Sequence, residues 1–253
     1  MDSLEQVLSN ALDVDKHGVD DEQICHICGG TGYVYMSSDL GDPNYGRLFP
    51  CLACSRDDVL GDLLSSAGLE PGYIPPSLGE ITSMSDAQRI AIAAMLTTIQ
   101  RGWGFVYLWG KWGTGKTFLA EAALRSFFER NLDDAPSGAF WTMPDLMAHF
   151  RDQVRGGGVH ELQKRLQRTR FLVLDEVDKI QGTPFVQEQF FTLVDRRYRA
   201  ALRLRRGITI FTANVKPERI GEQAGYFASR VDHKGFFVIP FAGQDLRQQI
   251  EVV

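Results

Sequence analysis

Apolar residues switch between two spacings along the chain, and from residue 105 onward the switches mark an alternation of strands and helices. Phe105-Val106-Tyr107-Leu108-Trp109 is a strand-like apolar run, and Leu119, Ala122, Ala123 and Phe127 then recur at helical spacing between Phe118 and Arg130. Ala139-Phe140-Trp141 predicts a second strand. Thr142-Met143-Pro144-Asp145 has the composition of a capping box with proline near the first helical position, opening a helix through Leu146, Met147, Phe150 and Val154. Gly156-Gly157-Gly158 ends that helix, and a short one follows with Leu162 and Leu166 inside. Phe171-Leu172-Val173-Leu174 is a continuous apolar run, the mark of a strand covered on both faces. A long helix is predicted from Pro184 to Arg206, apolar at Val186, Phe190, Leu193, Val194 and Ala201. Its outer face and C-terminal end carry Arg196, Arg197, Arg199, Arg203, Arg205 and Arg206. Ile208–Thr212, a helix from Gly221 to Val231 and a strand from Phe236 to Ile239 complete the series. Ahead of it, Ser85 to Gln100 places Ile90, Ala91, Ala94, Met95 and Ile99 on one helical stripe. Five strand signals interleaved with helices predict an α/β fold, a five-stranded parallel sheet flanked by helices, with its ligand at the strands' C-terminal edge.

The front of the chain follows a different pattern. Leu4, Val7, Leu8 and Leu12 form a short amphipathic stretch among acidic residues, as a partner-docking helix or a frayed terminus would. All four cysteines follow, as Cys25-His26-Ile27-Cys28 and Cys51-Leu52-Ala53-Cys54. Two Cys-x-x-Cys pairs roughly twenty residues apart match the spacing of a tetrahedral structural zinc site. Disulfides, a thioredoxin-like redox pair and His26 as a replacement ligand are the competing readings. Between the pairs, Tyr33–Met36 and Gly46–Phe49 read as a hairpin around Gly41, Asp42, Pro43 and Asn44. The segment from Ala67 to Glu80 is rich in proline and glycine and favours extended backbone. The expected organisation is therefore an acidic cysteine module over 1–66, a linker over 67–80 and an α/β domain over 81–253.

Composition narrows the class. The apolar fraction, 44%, is ordinary for a globular chain. No apolar run approaches the ~20 residues that span a bilayer, and Met1 to Asp20 lacks the basic start and apolar core of a signal peptide, so a soluble cytoplasmic protein with no membrane partner is expected. The net charge of −5 conceals an uneven split: up to Glu80 the acids far outnumber Lys16, Arg47 and Arg56, so the remainder is positive. The front part suits a nucleic-acid backbone poorly, and the rest suits it better.

The chemistry centres on Gly110-Lys111-Trp112-Gly113-Thr114-Gly115-Lys116-Thr117, which satisfies G-x-x-x-x-G-K-[ST] between a predicted strand and helix. Glycines there let backbone N–H groups wrap a polyphosphate at a helix N-terminus. Lys116 is expected to reach the β- and γ-phosphates of ATP and Thr117 to hold Mg²⁺. Asp175-Glu176 closes a buried strand; the expectation is that Asp175 serves the metal and Glu176 activates water. Asn214, at the tip of the next buried strand, would contact the γ-phosphate or the water, or else cap the following turn.

From Ser77 onward, about two-thirds of the chain, the sequence resembles an AAA+ ATPase of the bacterial replicative-helicase loader group, the DnaC/DnaI type, whose relatives include phage loaders and the IstB transposition ATPases. The resemblance rests on the helix before the loop, Leu108 to Ala120, Leu174-Asp175-Glu176, Phe211-Thr212-Ala213-Asn214 and Ala228-Ser229-Arg230. It implies a P-loop NTPase in which Asn214 takes the sensor-1 place and Arg230 acts as an arginine finger on a neighbouring copy, hence self-association. Cys25-His-Ile-Cys-Gly-Gly-Thr-Gly32 with Pro50-Cys-Leu-Ala-Cys54 looks like the zinc module of such loaders, which contacts the replicative helicase. The implied function is an ATP- and Mg²⁺-dependent loader, with Zn²⁺ in the module, that delivers a helicase to single-stranded DNA within a primosome. Arg151, Arg155, Lys164, Arg165 and Arg168 are the candidate DNA contacts, although solvated helix faces explain these charges equally well. A transposition helper acting on duplex DNA and a zinc-module adaptor with ATP as a structural ligand are the alternatives. Trp112 departs from the smaller residue of many relatives, the tail after Pro240 implies no helical lid domain, and Arg247 is a possible sensor-2 residue only.

Overall fold

The computed structural model describes residues 25–241, apart from residues 36, 38, 40, 44, 83, 133–136, 157, 181–183 and 221–223. The pattern at Leu4 to Leu12 and Arg247 lie outside the described residues. Two compact units divide the chain, Met1–Asp62 and Leu63–Val253.

In the first unit, β1 (Tyr33–Tyr35) pairs antiparallel with β2 (Leu48–Pro50), Tyr33 lying opposite Pro50. The return strand starts two residues later than the apolar pattern implied, because Gly46 takes a left-handed φ of 71° and belongs to the turn. Helix α1 (Arg56–Ala67), which begins in the first unit and ends in the second, has no counterpart in the sequence expectations. Val59, Leu60, Leu63, Leu64 and Ala67 recur at helical spacing, with Leu60, Leu64 and Ala67 buried and Gly61 between them; Asp57 and Asp58 in its first turn complement the helix dipole.

The second unit is a five-stranded sheet of β3 (Trp103–Gly110), β4 (Gly138–Thr142), β5 (Phe171–Asp175), β6 (Gly207–Ala213) and β7 (Phe237–Phe241). The order is β4-β5-β6-β3-β7 and every pairing is parallel. Parallel strands need crossovers, and helices supply them: α2 (Asp86–Arg101) leads in, followed by α3 (Lys116–Arg130), α4 (Met143–Gly156), α5 (Val159–Arg168), α6 (Pro184–Leu204) and α7 (Ala224–Val231). Phe105, Tyr107 and Phe211 are buried with Phe150, Leu166, Phe190 and Phe227, which puts α4 to α7 over one face of the sheet. Helix α3 packs against β4, β5 and β6, and α2 packs beside it on β3 and β7. Among the described residues no helix is long and apolar enough to cross a membrane.

Local signals explain the helix starts. Ser85 and Gln88 form a reciprocal capping box at α2, and Thr142 Oγ1 accepts from the Asp145 N–H at 3.3 Å to open α4. The buried stripe of α2 is shifted from the expected one: Ile90 is exposed, and Ile92 and Thr98 face inward. The proline- and glycine-rich stretch is fastened along α3 within the second unit. There the Leu78 N–H donates to Ser126 Oγ at 2.8 Å, Arg125 donates to the Pro75 carbonyl at 2.7 Å, and Leu69 and Leu78 are buried.

One expectation fails outright. Arg197, read as part of an exposed basic face, is only 3% exposed. Its guanidinium donates to Thr209 Oγ1 (2.7 Å) and to the carbonyls of Leu166 (2.7 Å), Thr169 (2.8 Å) and Ile208 (2.6 Å). Burial pushes its pKa down to about 9. Four hydrogen bonds from one rigid guanidinium satisfy three carbonyls and a hydroxyl where α5 ends and β6 begins, which an ammonium could not do with the same geometry. Helix α6 also stops at Leu204, two residues short of the expected end, with Arg205 in the left-handed region (φ 50°). Replacing Arg197 by alanine leaves these acceptors buried and unpaired, and is expected to destabilise the protein by at least about 3 kcal/mol. Arg197→Lys should recover only part of the loss; chemical denaturation of the two variants measures both.

Candidate nucleotide and metal sites

Strand β3 delivers the chain to Gly110 and α3 begins at Lys116, so the glycine-rich loop bridges a central strand and a helix N-terminus. Gly110 has to be glycine: its φ is 149°, and a Cβ there would stand 2.1 Å from the Phe241 carbonyl oxygen on the neighbouring strand β7. Gly113 and Gly115 take left-handed φ values of 72° and 86°, turning successive N–H groups toward one side. Thr114 Oγ1 donates to the Lys111 carbonyl at 2.9 Å and closes the loop on itself. Lys116 is buried, its Nζ donating to the carbonyls of Gly110 (2.9 Å) and Lys111 (2.7 Å) and lying 3.4 Å from Asn214 Oδ1.

Parallel register brings the acidic strand end to the same edge, since Leu174 of β5 lies opposite Phe211 of β6 and Trp109 of β3 opposite Ala213. Asp175 is buried at that edge. It accepts from Thr117 Oγ1 at 3.0 and 3.2 Å and, more closely, from Thr212 Oγ1. Burial pushes its carboxyl above the usual range; the Thr212 and Thr117 hydroxyls pull the other way, and the Glu176 charge adds to the rise. Thr212 also accepts from the Glu176 N–H at 3.0 Å. Glu176 adopts φ 56°, unusual for a side-chain-bearing residue, and its carboxylate pairs with Lys179 at 2.6 Å. A cavity of about 280 Å³ is lined by Trp112, residues Gly113 to Phe118 of the loop and the start of α3, Glu176, Thr212, Ala213 and Asn214. A backbone-lined anion cradle, a buried cation and a carboxylate beside a hydroxyl are the groups that a magnesium-bound polyphosphate requires.

The structure thus brings Gly110, Gly113, Thr114, Gly115, Lys116, Thr117, Asp175, Glu176 and Asn214 together. It does not bring Arg230 to them. On α7, Arg230 donates through Nε to Asp195 Oδ1 (3.1 Å) on α6 and through Nη1 to Ser229 Oγ (2.9 Å), and lies 4.2 Å over the Tyr226 ring. Arg199 holds the other Asp195 oxygen at 2.7 Å. Arg151 on α4 and Arg165 and Arg168 on α5 are exposed, and Lys164 pairs with Glu161 at 3.1 Å. Arg155 lies on α4, and its side chain is outside the described residues. A second cavity of about 340 Å³ lies among α4, α5 and α6 and is lined by none of the phosphate-loop residues.

Three residues of the site escaped sequence reasoning. Thr212 bridges Asp175 and the Glu176 backbone, and Asp178 binds the Asn214 N–H (2.9 Å) and Nδ2 (3.0 Å). Gln88 Nε2 donates to the Thr114 carbonyl at 3.4 Å, tying the α2 capping box to the phosphate loop. The available signals were a hydroxyl inside an apolar strand and a second acid two residues after Glu176.

In the first unit, the sulfurs of Cys25, Cys28, Cys51 and Cys54 all lie within 4.8 Å of one another. Cys25–Cys51 and Cys28–Cys54 are 3.9 and 3.5 Å apart, far beyond a disulfide bond. Tetrahedral zinc at ~2.3 Å from each sulfur places them about 3.8 Å apart, so the donor set fits that ion. The Gly32 N–H donates to Cys28 Sγ at 3.3 Å, a backbone contact that favours thiolate. His26 is exposed and is not part of the cluster.

Residues 81–236 match the family model of the bacterial DnaA ATPase domain. No curated protein matches the chain in sequence. Among solved structures, the replication initiator DnaA bound to AMPPCP and single-stranded DNA is similar at 18% identity, over 70% of this chain and 52% of that one, with a TM-score of 0.55. The DnaC helicase loader is similar at 18% identity over 66% and 96%, TM-score 0.53, and DnaI at 18% over 69% and 95%, TM-score 0.56. These likenesses show a shared fold. The chain matches about half the length of the initiator structures.

The buried carboxylate yields a sign for stability. Asp175 has its folded pKa above the unfolded value, so its contribution to stability is present at low pH and is lost as pH rises through the raised value. At neutral pH the charge therefore costs stability. Asp175→Asn is expected to raise the melting temperature of the nucleotide-free protein by roughly 2–4 °C, the shift that about 1 kcal/mol produces in a domain of this size. A thermal melt with and without Mg-ATP checks this, since the variant should also lose the magnesium-dependent part of nucleotide stabilisation.

Proposed function

The chain belongs to the bacterial DnaA ATPase domain family, and on that premise we propose that it is an ATP-driven loader that binds a replicative DNA helicase and delivers it to single-stranded DNA. Family membership supports ATP binding and hydrolysis. The observation that carries the finer reading is the four-thiolate cluster in a separate acidic unit ahead of the ATPase unit. A closed Cys₄ site leaves no open coordination position, so its role is to fold a recognition surface and not to catalyse. The DnaC protein of similar fold is a helicase loader, and the initiator structure holds single-stranded DNA; both roles are carried over here.

In this reading Lys116 leaves its loop carbonyls to contact the β- and γ-phosphates, and the loop N–H groups hold the rest of the polyphosphate. Thr117 and Asp175 would hold Mg²⁺, whose charge offsets that on the phosphate oxygens when bound. Glu176 orients the attacking water, Asn214 contacts the water or the γ-phosphate, and Arg230 reaches the phosphate of a neighbouring copy. Arg151, Arg155, Lys164, Arg165 and Arg168 supply phosphate contacts to DNA. Zn²⁺ is held by Cys25, Cys28, Cys51 and Cys54. Turnover switches the complex between holding and releasing the helicase and does no chemistry on DNA.

The test is a pull-down of the host's replicative helicase with the full-length protein, with and without ATP, alongside duplex-DNA bait. Binding that depends on nucleotide and is lost in Cys28→Ser/Cys51→Ser is expected; no helicase capture but ATP-dependent duplex binding would replace the loader with a transposition helper. Elemental analysis should return one zinc per chain, absent from the double cysteine variant. Glu176→Gln is expected to retain ATP and lose at least about 100-fold in turnover, in line with a lost general base. Mixing Lys116→Ala with Arg230→Ala chains should restore turnover that neither shows alone, because one supplies the finger and the other the site.

A further inference from the structure

We infer that Asp178 is a positioning residue for ATP hydrolysis: it fixes which end of the Asn214 amide faces the nucleotide cavity. The inference rests on the proposed role of Asn214. Asp178 lies in the short 3₁₀ turn Val177–Lys179 that follows Glu176, and its two oxygens separately accept the Asn214 N–H (2.9 Å) and Nδ2 (3.0 Å). On the opposite side of the same amide, Lys116 Nζ lies 3.4 Å from Oδ1. A carboxylate only accepts and an ammonium only donates, so just one of the two amide orientations satisfies both neighbours. Asp178 therefore holds the nitrogen back and turns the carbonyl oxygen toward Lys116 and the cavity.

The consequence is chemical. An Asn held this way presents an acceptor to the site. With Lys116 in place that acceptor takes the ammonium; once the phosphates draw Lys116 away, it is left for another proton donor, and the attacking water is the donor the reaction supplies. The backbone beneath is braced as well, because Tyr107 Oη donates to the Val215 carbonyl at 2.8 Å, so the tip of β6 is held from two sides. Asp178 sits two residues beyond Glu176, so the turn that carries the water-activating carboxylate and the strand tip that carries the amide are joined by two hydrogen bonds. Any shift of one is passed to the other.

The experiment is a double-mutant cycle on turnover with a parallel affinity measurement. Asp178→Ala is expected to lower kcat by about 10- to 100-fold, the usual cost of losing a supporting partner. Its dissociation constant for a fluorescent ATP analogue should stay within about threefold, because the phosphate contacts are untouched. Asp178→Asn, which keeps the size but lets the amide turn over, should lose a similar factor and covers the case in which the alanine variant does not fold; Asp178→Glu should recover part. In an Asn214→Ala background, Asp178→Ala should cost far less than in the unsubstituted protein, because only the bond to the residue-214 backbone N–H is left to lose. An Asp178→Asn kcat within twofold of the unsubstituted protein, or losses that multiply in the double variant, would overturn the inference alone. Full activity in Asn214→Ala would remove the role of Asn214 and the inference with it.

Discussion

The nucleotide end of this fold depends on one carboxylate held between two hydroxyls. Asp175 is buried at the end of β5, where isolated charge is expensive, and Thr117 and Thr212 are what keep it tolerable. Those two partners come from α3 and β6, so one side chain ties the phosphate-loop helix, the acidic strand and the amide-bearing strand together. The tie exists only because parallel pairing sets Leu174 opposite Phe211 and so brings the next residues, Asp175 and Thr212, to the same edge. A slip of one residue in β6 would turn Thr212 away and reverse the faces of the whole strand. Register, in this protein, is part of the chemistry.

Strand β6 is gripped at both ends by buried charge. Arg197 takes the Ile208 carbonyl and the Thr209 hydroxyl near its start, and Asp175 takes Thr212 near its finish. The two charges act differently. The guanidinium has several neutral acceptors converging on it and serves the architecture, whereas the carboxylate has fewer partners and a raised pKa, which leaves it eager for a cation. The fully satisfied charge stands near the start of β6, and the less satisfied one at the tips, where the loop, Glu176 and Asn214 meet. The left-handed backbone of Glu176 belongs to the same account, since strain at a strand tip persists only where neighbours hold it, and Thr212 and Lys179 do so here.

What could be read from the sequence was what lies close together along it. The phosphate loop, each Cys-x-x-Cys pair, the apolar run before Asp175-Glu176 and the capping residues Thr142 to Asp145 each fit within a few residues, and in the structure they lie at a strand–helix junction, in one sulfur cluster, at a buried strand end and at a helix start. The parallel sheet followed from five such strands separated by helices. What could not be read depends on partners far apart in the chain. Arg197 looks like any arginine on a charged helix until Leu166, Thr169, Ile208 and Thr209 close around it. Thr212 and Asp178 gain their meaning only across β5 and β6. Helix α1 is a different case, because Leu60, Leu64 and Ala67 lie at helical spacing within a few residues and were legible despite the glycine between them.

Arg230 shows how a motif and its geometry fit together without coinciding. It stands outside the cavity of its own chain, and a residue serving that cavity would have to leave Asp195 to do so. Its Nε is taken by Asp195 and its Nη1 by Ser229, while stacking against Tyr226 and Tyr198 fixes the plane of the guanidinium. Planar, doubly anchored and stacked, the group has lost most of its rotamer freedom before meeting a ligand, so little further entropy would be lost on contact with a phosphate. Asp195 is itself shared with Arg199, and two cations on one carboxylate leave positive charge in excess at this surface. The cation is thus ordered in advance and stands apart from the nucleotide cavity of its own chain.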